Sequence, residues 1–192
     1  MHELRIHGRG GQGAVIASKI LAAALFREGR SVQSFPAFGV ERRGAPVTAF
    51  LRLSDGPIRL RCEITEPDDL IVLDPTLVEA LDVTGGLKPG GSILINSARD
   101  PQSYAELTKR YRVATVDASA VARRHELGSK TQPIVNTAIL GAFAADSGRV
   151  GLDAVCEAIA EEIRVQPEQN VRAAREAAGA VRRAPRREAG RA

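Results

Sequence analysis

The run Gly8-Arg9-Gly10-Gly11-Gln12-Gly13 limits the possible folds of this chain more than any other stretch. It follows ELRIH (residues 3–7), a short strand pattern with apolar Leu4 and Ile6, and it leads straight into AVIASKILAAALFREG. There Val15, Ile16, Ile20, Leu21, Ala24 and Leu25 recur at helical spacing, and Gly29 is placed to close a helix over 14–28. Strand, glycine turn and helix in that order open a parallel α/β unit. The spacing is G-x-G-x-x-G. Glycines there allow a tight turn and close approach of the backbone to a ligand, and the helix start offers free N–H groups to an anion. A nicotinamide dinucleotide needs one thing more, a carboxylate about 20 residues on to hold the ribose. Residues 31–35 are SVQSF, and no acid follows until Glu41. The turn therefore reads as a packing element or as a cradle for a different anion.

The rest of the chain supports one layered domain. SVQSF restarts an extended pattern and is followed by an irregular loop, PAFGVERRGAP (36–46). VTAFLRLSDGPIRLRCEI alternates on both sides of Asp55-Gly56, which predicts a hairpin. DDLIVLD (68–74), GGSILINS (90–97) and YRVATVDA (111–118) carry short apolar runs, the mark of central strands covered on both faces. Helical patterns cover 118–127, 134–146, 151–163 and 167–181. The expected fold class is α/β, a three-layer sandwich with a mostly parallel sheet and an inserted β-hairpin, in a single domain over 1–181. Apolar residues make up 44% and aromatics only 4%, with no Trp, so the core must be aliphatic. That composition excludes a disordered chain and argues against readers of RNA or single strands by aromatic stacking.

The net charge of +4 suggests nucleic acid until it is located. Residues 182–192 hold five Arg and one Glu, so residues 1–181 are neutral overall. The basic segment reads as a solvated, disordered end, with a docking arm for an acidic partner as the alternative. Cys62 and Cys156 are too few and too far apart for a disulfide framework, a zinc site or a four-cysteine cluster within the chain. No uncharged apolar stretch reaches the roughly 18 residues that span a bilayer. The expectation is a cytoplasmic protein with no nucleic-acid or membrane role and no metal site.

No catalytic constellation is visible. His2, His7 and His125 are scattered, and HExxH, G-x-S-x-G and the P-loop pattern are absent. His7 ends the first strand as a packing or site residue. Asp74 sits at a strand end, where carboxylates act, but Pro75-Thr76 also suits a helix cap. Asn136 either faces a partner or is satisfied within its helix. Adjacent Arg42 and Arg43 suit bidentate capture of a phosphate or carboxylate, or an ion cluster with Glu41.

Together GRGGQGAV (8–15), FPAFGVERRGAPVTAFLRLS (35–54), PIRLR (57–61), EPDDLIVLD (66–74), PIVNTAILGAF (133–143) and EQNVRAAREA (168–177) resemble the gamma subunits of 2-oxoacid:ferredoxin oxidoreductases, the pyruvate synthase group. The resemblance spans about residues 2–178. It implies a Rossmann-like subunit of a complex that decarboxylates a 2-oxoacid, pyruvate first among them, with coenzyme A and passes electrons to ferredoxin. It also implies alpha, beta and delta partners that hold thiamine diphosphate, Mg and iron–sulfur clusters. No catalytic residue is then expected in this chain. Gly8, Gly10, Gly11, Gln12, Gly13, Arg42 and Arg43 become candidates for the coenzyme A side of the site or for a subunit interface. An indolepyruvate- or 2-oxoglutarate-type complex and a stand-alone nucleotide-binding enzyme are the alternatives.

Overall fold

The computed structural model describes residues 1–37 and 43–185. The chain runs β1 (His2–Arg9), α1 (Ala14–Arg27), β2 (Ser31–Pro36), β3 (Pro46–Ser54), β4 (Asp69–Val72), α2 (Thr76–Ala80) and β5 (Ser92–Asn96). A 3-10 turn at Pro101–Ser103 and α3 (Ala105–Thr108) precede β6 (Arg112–Val116). Then come α4 (Ala118–Arg124), α5 (Asn136–Ser147), α6 (Leu152–Glu162), α7 (Pro167–Gly179) and β7 (Arg182–Arg183). The sheet order is β2-β3-β1-β4-β5-β6-β7, with β1, β4, β5 and β6 parallel and β3 and β7 antiparallel to their neighbours.

The register explains the apolar runs. Ile6, Ile71, Leu94 and Ala114 lie side by side across the four parallel strands and bury under the helices of one face. One residue earlier, Leu70, Ile93 and Val113 form the matching row on the other face, against Leu77, Val83, Tyr104 and Tyr111. Strands buried on both sides need no polar alternation. Helix α5 is enclosed on all sides, with every residue from 136 to 144 buried. Its closeness to α7 depends on Gly141, where a Cβ would lie 1.9 Å from the Ala174 carbonyl oxygen.

Two expectations are corrected. The antiparallel insertion is formed by β2 and β3, not by a hairpin about Asp55-Gly56. Beyond Ser54 the chain turns but does not pair as a strand, and of Ile58, Leu60, Cys62 and Ile64 only Ile64 is buried. Extended coil laid over a sheet edge imitates strand alternation in sequence. The Arg-rich segment, expected to be disordered from residue 182, starts as β7: Arg182 and Arg183 pair with Thr115 and Ala114, and the Ala184 N–H donates to the Val113 carbonyl. Residues 186–192 lie outside the described residues. Among the described residues no helix is long and apolar enough to cross a membrane.

Candidate functional site at the glycine turn

The chain leaves β1 toward β2 on one side, and leaves β4 toward β5 on the other. Ligands of open α/β sheets bind at such a reversal, beyond the carboxyl ends of the strands. The glycine turn occupies that position. Gly8 is still part of β1, opposite Val47. The Gly10 N–H donates to the Ala45 carbonyl at 2.8 Å, and its own carbonyl accepts from the Gly44 N–H at 3.0 Å. Gly13 adopts φ +80°, and a Cβ there would lie 2.5 Å from Asn136 Nδ2. The turn thus requires glycine at that point because α5 begins against it. Asn136 is buried, and its Oδ1 accepts from the Thr137 N–H at 2.9 Å.

A polar clamp holds the turn in shape. Gln12 Oε1 accepts from the Arg9 N–H at 2.8 Å, and Gln12 Nε2 donates to Asp74 Oδ2 at 3.0 Å. Arg9 donates from Nε to the same oxygen at 3.1 Å, from Nη1 to the Gly44 carbonyl at 3.1 Å and from Nη2 to Thr76 Oγ1 at 2.8 Å. The other oxygen of Asp74 accepts from the Thr76 N–H and hydroxyl at 3.0 and 2.7 Å, so Asp74 caps the α2 turn as well. Partial burial by itself would raise the Asp74 pKa. Thr76, Gln12 and the Arg9 charge outweigh it and hold the carboxyl below its usual range. The sequence left Asp74 open between cap and strand-end carboxylate; it caps, and it also anchors the turn. Arg9 carried no recognisable signal beyond its place inside the glycine run.

What stays available is backbone. The start of α1 has no side-chain cap and no acid in its first turn. Its first N–H groups have no partner within the helix. Ile16 and Ile134, about half exposed, stand on α1 and just before α5. Arg43 bridges to Gly10 and donates from Nη2 to Gln132 Oε1 at 2.7 Å, linking its loop to the 129–132 turn. Arg42 lies outside the described residues.

His7 is not at this opening. Its Nδ1 is 3.4 Å from Thr48 Oγ1, and its Nε2 is buried with no hydrogen-bond partner among the described residues. Burial first, then the nearby Arg5 charge, push its pKa down to about 4. Among the described residues no three metal-binding side chains converge. Cys156 is buried, with a thiol pKa pushed up by desolvation, and Cys62 is exposed beside Arg52. The arrangement can hold an anion and present a surface, and among the described residues no nucleophile and base come together there.

Residues 3–180 match the family model for pyruvate ferredoxin/flavodoxin oxidoreductase. The pyruvate/ketoisovalerate oxidoreductases common subunit gamma of Thermococcus kodakarensis is 51% identical over 180 residues, 92% of this chain and 95% of that one. Pyruvate synthase subunit PorC of Methanocaldococcus jannaschii is 48% identical over 175 residues, 91% of this chain and 93% of that one. Among solved structures, pyruvate oxidoreductase subunit PORC of Thermotoga maritima superposes with a TM-score of 0.79 at 33% identity, covering 95% of this chain and 98% of that one.

Proposed function

The chain belongs to the pyruvate ferredoxin/flavodoxin oxidoreductase family, and from that premise we propose that it is the gamma subunit of a multi-subunit 2-oxoacid:ferredoxin oxidoreductase. The complex would convert a 2-oxoacid anion, coenzyme A and two oxidised ferredoxins to an acyl-CoA, carbon dioxide, two reduced ferredoxins and a proton. Pyruvate is the proposed substrate. The observation that carries this reading is identity near one half, across nine-tenths of the chain, to gamma and PorC subunits. Two isolated cysteines fit a division in which thiamine diphosphate, Mg and the iron–sulfur clusters are held by alpha, beta and delta partners in the cytoplasm.

Within the complex this chain contributes to the coenzyme A side. The uncapped start of α1 and the exposed Arg43 fit an anionic group, and Arg42 adjoins it in sequence. Coenzyme A, when bound, supplies the thiol that accepts the acyl group. Gly8, Gly10, Gly11 and Gly13 shape the turn beneath it. The amide of Gln12, committed to Arg9 and Asp74, is a positioning group.

The test is affinity purification of the tagged chain from its native cells, followed by viologen reduction with several 2-oxoacids. Recovery of thiamine-binding and iron–sulfur subunits, with coenzyme A-dependent reduction fastest on pyruvate, is the expected result. A monomer without thiamine would overturn the assignment. Faster turnover of 2-oxoglutarate or indolepyruvate would move it to those branches.

A further inference from the structure

The amino ends of the parallel strands, opposite the glycine turn, line an open cavity of about 680 Å³. Strands of four or five residues, at about 3.3 Å each, separate the two ends of the sheet by about 15 Å. Asp69, the first residue of β4, lines this cavity and is only 1% exposed. His2 Nε2 lies 2.6 Å from its Oδ2, and the Ser92 hydroxyl donates to its Oδ1. Two guanidinium groups approach the same carboxylate without hydrogen-bonding to it: Arg112 Nη2 at 4.0 Å and Arg149 Nε at 3.8 Å. Arg112 donates from Nε to the Gly90 carbonyl at 3.3 Å. Among the described residues the guanidinium of Arg149 makes no hydrogen bond.

The second acid in the wall is also satisfied. Asp146 accepts from Arg183 Nε at 2.7 Å, and Arg183 Nη2 donates to the Ala145 carbonyl. Arg110 and Lys109, the latter paired with Glu106 outside the wall, bring the cations lining the cavity to five against these two acids. Tyr111 and Val113 add apolar wall. Strands β6 and β7, the segment before β6 and the turn after α5 thus hold positive charge around one concavity, while the buried carboxylate already has close partners. Like charges gathered at this density repel, and a bound anion relieves that repulsion.

We propose that this cavity binds the phosphate group of a small molecule. Arg112 and Arg149 come from different elements, so their forks meet a group that presents oxygens in several directions, as a tetrahedral phosphate does. The volume is in the range that holds an attached organic body as well. The site is separate from the glycine turn and does not rest on the role proposed for that turn.

The experiment is calorimetric titration of inorganic phosphate, and separately of AMP, into the purified complex. Saturable binding is expected, weakened about tenfold or more by Arg112→Ala with Arg149→Ala. Arg149→Lys, which keeps the charge and loses the fork, is the second variant; it is expected to assemble normally and still to bind more weakly. Absence of saturable binding, or equal affinity in the wild type and either Arg149 variant, would overturn the proposal.

Discussion

His7 shows how one side chain can carry a pH dependence. Its folded pKa of about 4 lies below the ordinary value of 6.5, so the unfolded chain takes up the proton first as pH falls. The stabilisation is complete near pH 7 and is lost between about pH 6.5 and 4, at no more than about 1.4 kcal/mol per pH unit. His7→Gln should show a shallower loss of stability over that window in denaturant titrations at several pH values. Equal slopes in variant and wild type would refute this account of the buried imidazole. Gly13 is a second single-residue test. Gly13→Ala places a methyl in a left-handed backbone and against Asn136, and should cost about 2 kcal/mol or more in thermal or chemical unfolding. Adding Asn136→Ala removes the collision but not the backbone strain, so the double variant should recover only part of the loss.

At the scale of elements, Arg52 ties three strands together. It is 1% exposed on β3 and donates to Glu3 of β1 at 2.8 Å and to Gln33 of β2 at 3.0 Å. Its guanidinium also lies 5.5 Å from the Phe35 ring centre. Arg52→Ala leaves Glu3 without its close cation and should cost about 3 kcal/mol. Arg52→Met with Glu3→Gln, which removes both charges and keeps the volume, should cost clearly less in the same unfolding assay. None of this was legible in the sequence, because Arg52 reads as the polar position of an alternating strand. The central strands were legible because double burial turns them into plain apolar runs, and the long helices because their spacing repeats. Helix α3 shows no sequence signal and α2 only the cap at its start, since four and five residues are too few to show a period. Of the glycine turn, the glycines and the direction of α1 were legible. The clamp was not, because Asp74 meets Gln12 only once β1 and β4 are paired.

For the whole molecule, the decisive question is what the turn end of the sheet faces in the assembled enzyme. If Arg42 and Arg43 meet coenzyme A phosphate, replacing both with Ala should raise the KM for coenzyme A about tenfold or more while the complex still co-purifies. Unchanged coenzyme A kinetics in a complex that dissociates would make them interface residues instead. The cationic cavity belongs to this scale as well. Its residues come from positions 69 to 185 and form no local pattern, so only the closed sheet reveals them. Sheet order has a further consequence, for synthesis. β1 lies inside the sheet, yet it is made before both of its flanking strands, pairing with β3 through Leu4↔Leu51 and with β4 through Leu4↔Asp69. During translation both of its edges stay open until β3 has left the ribosome, and one of them until β4 has. Closing that long loop, rather than forming helices, should then set the folding rate, and chaperone protection should matter most while β1 waits.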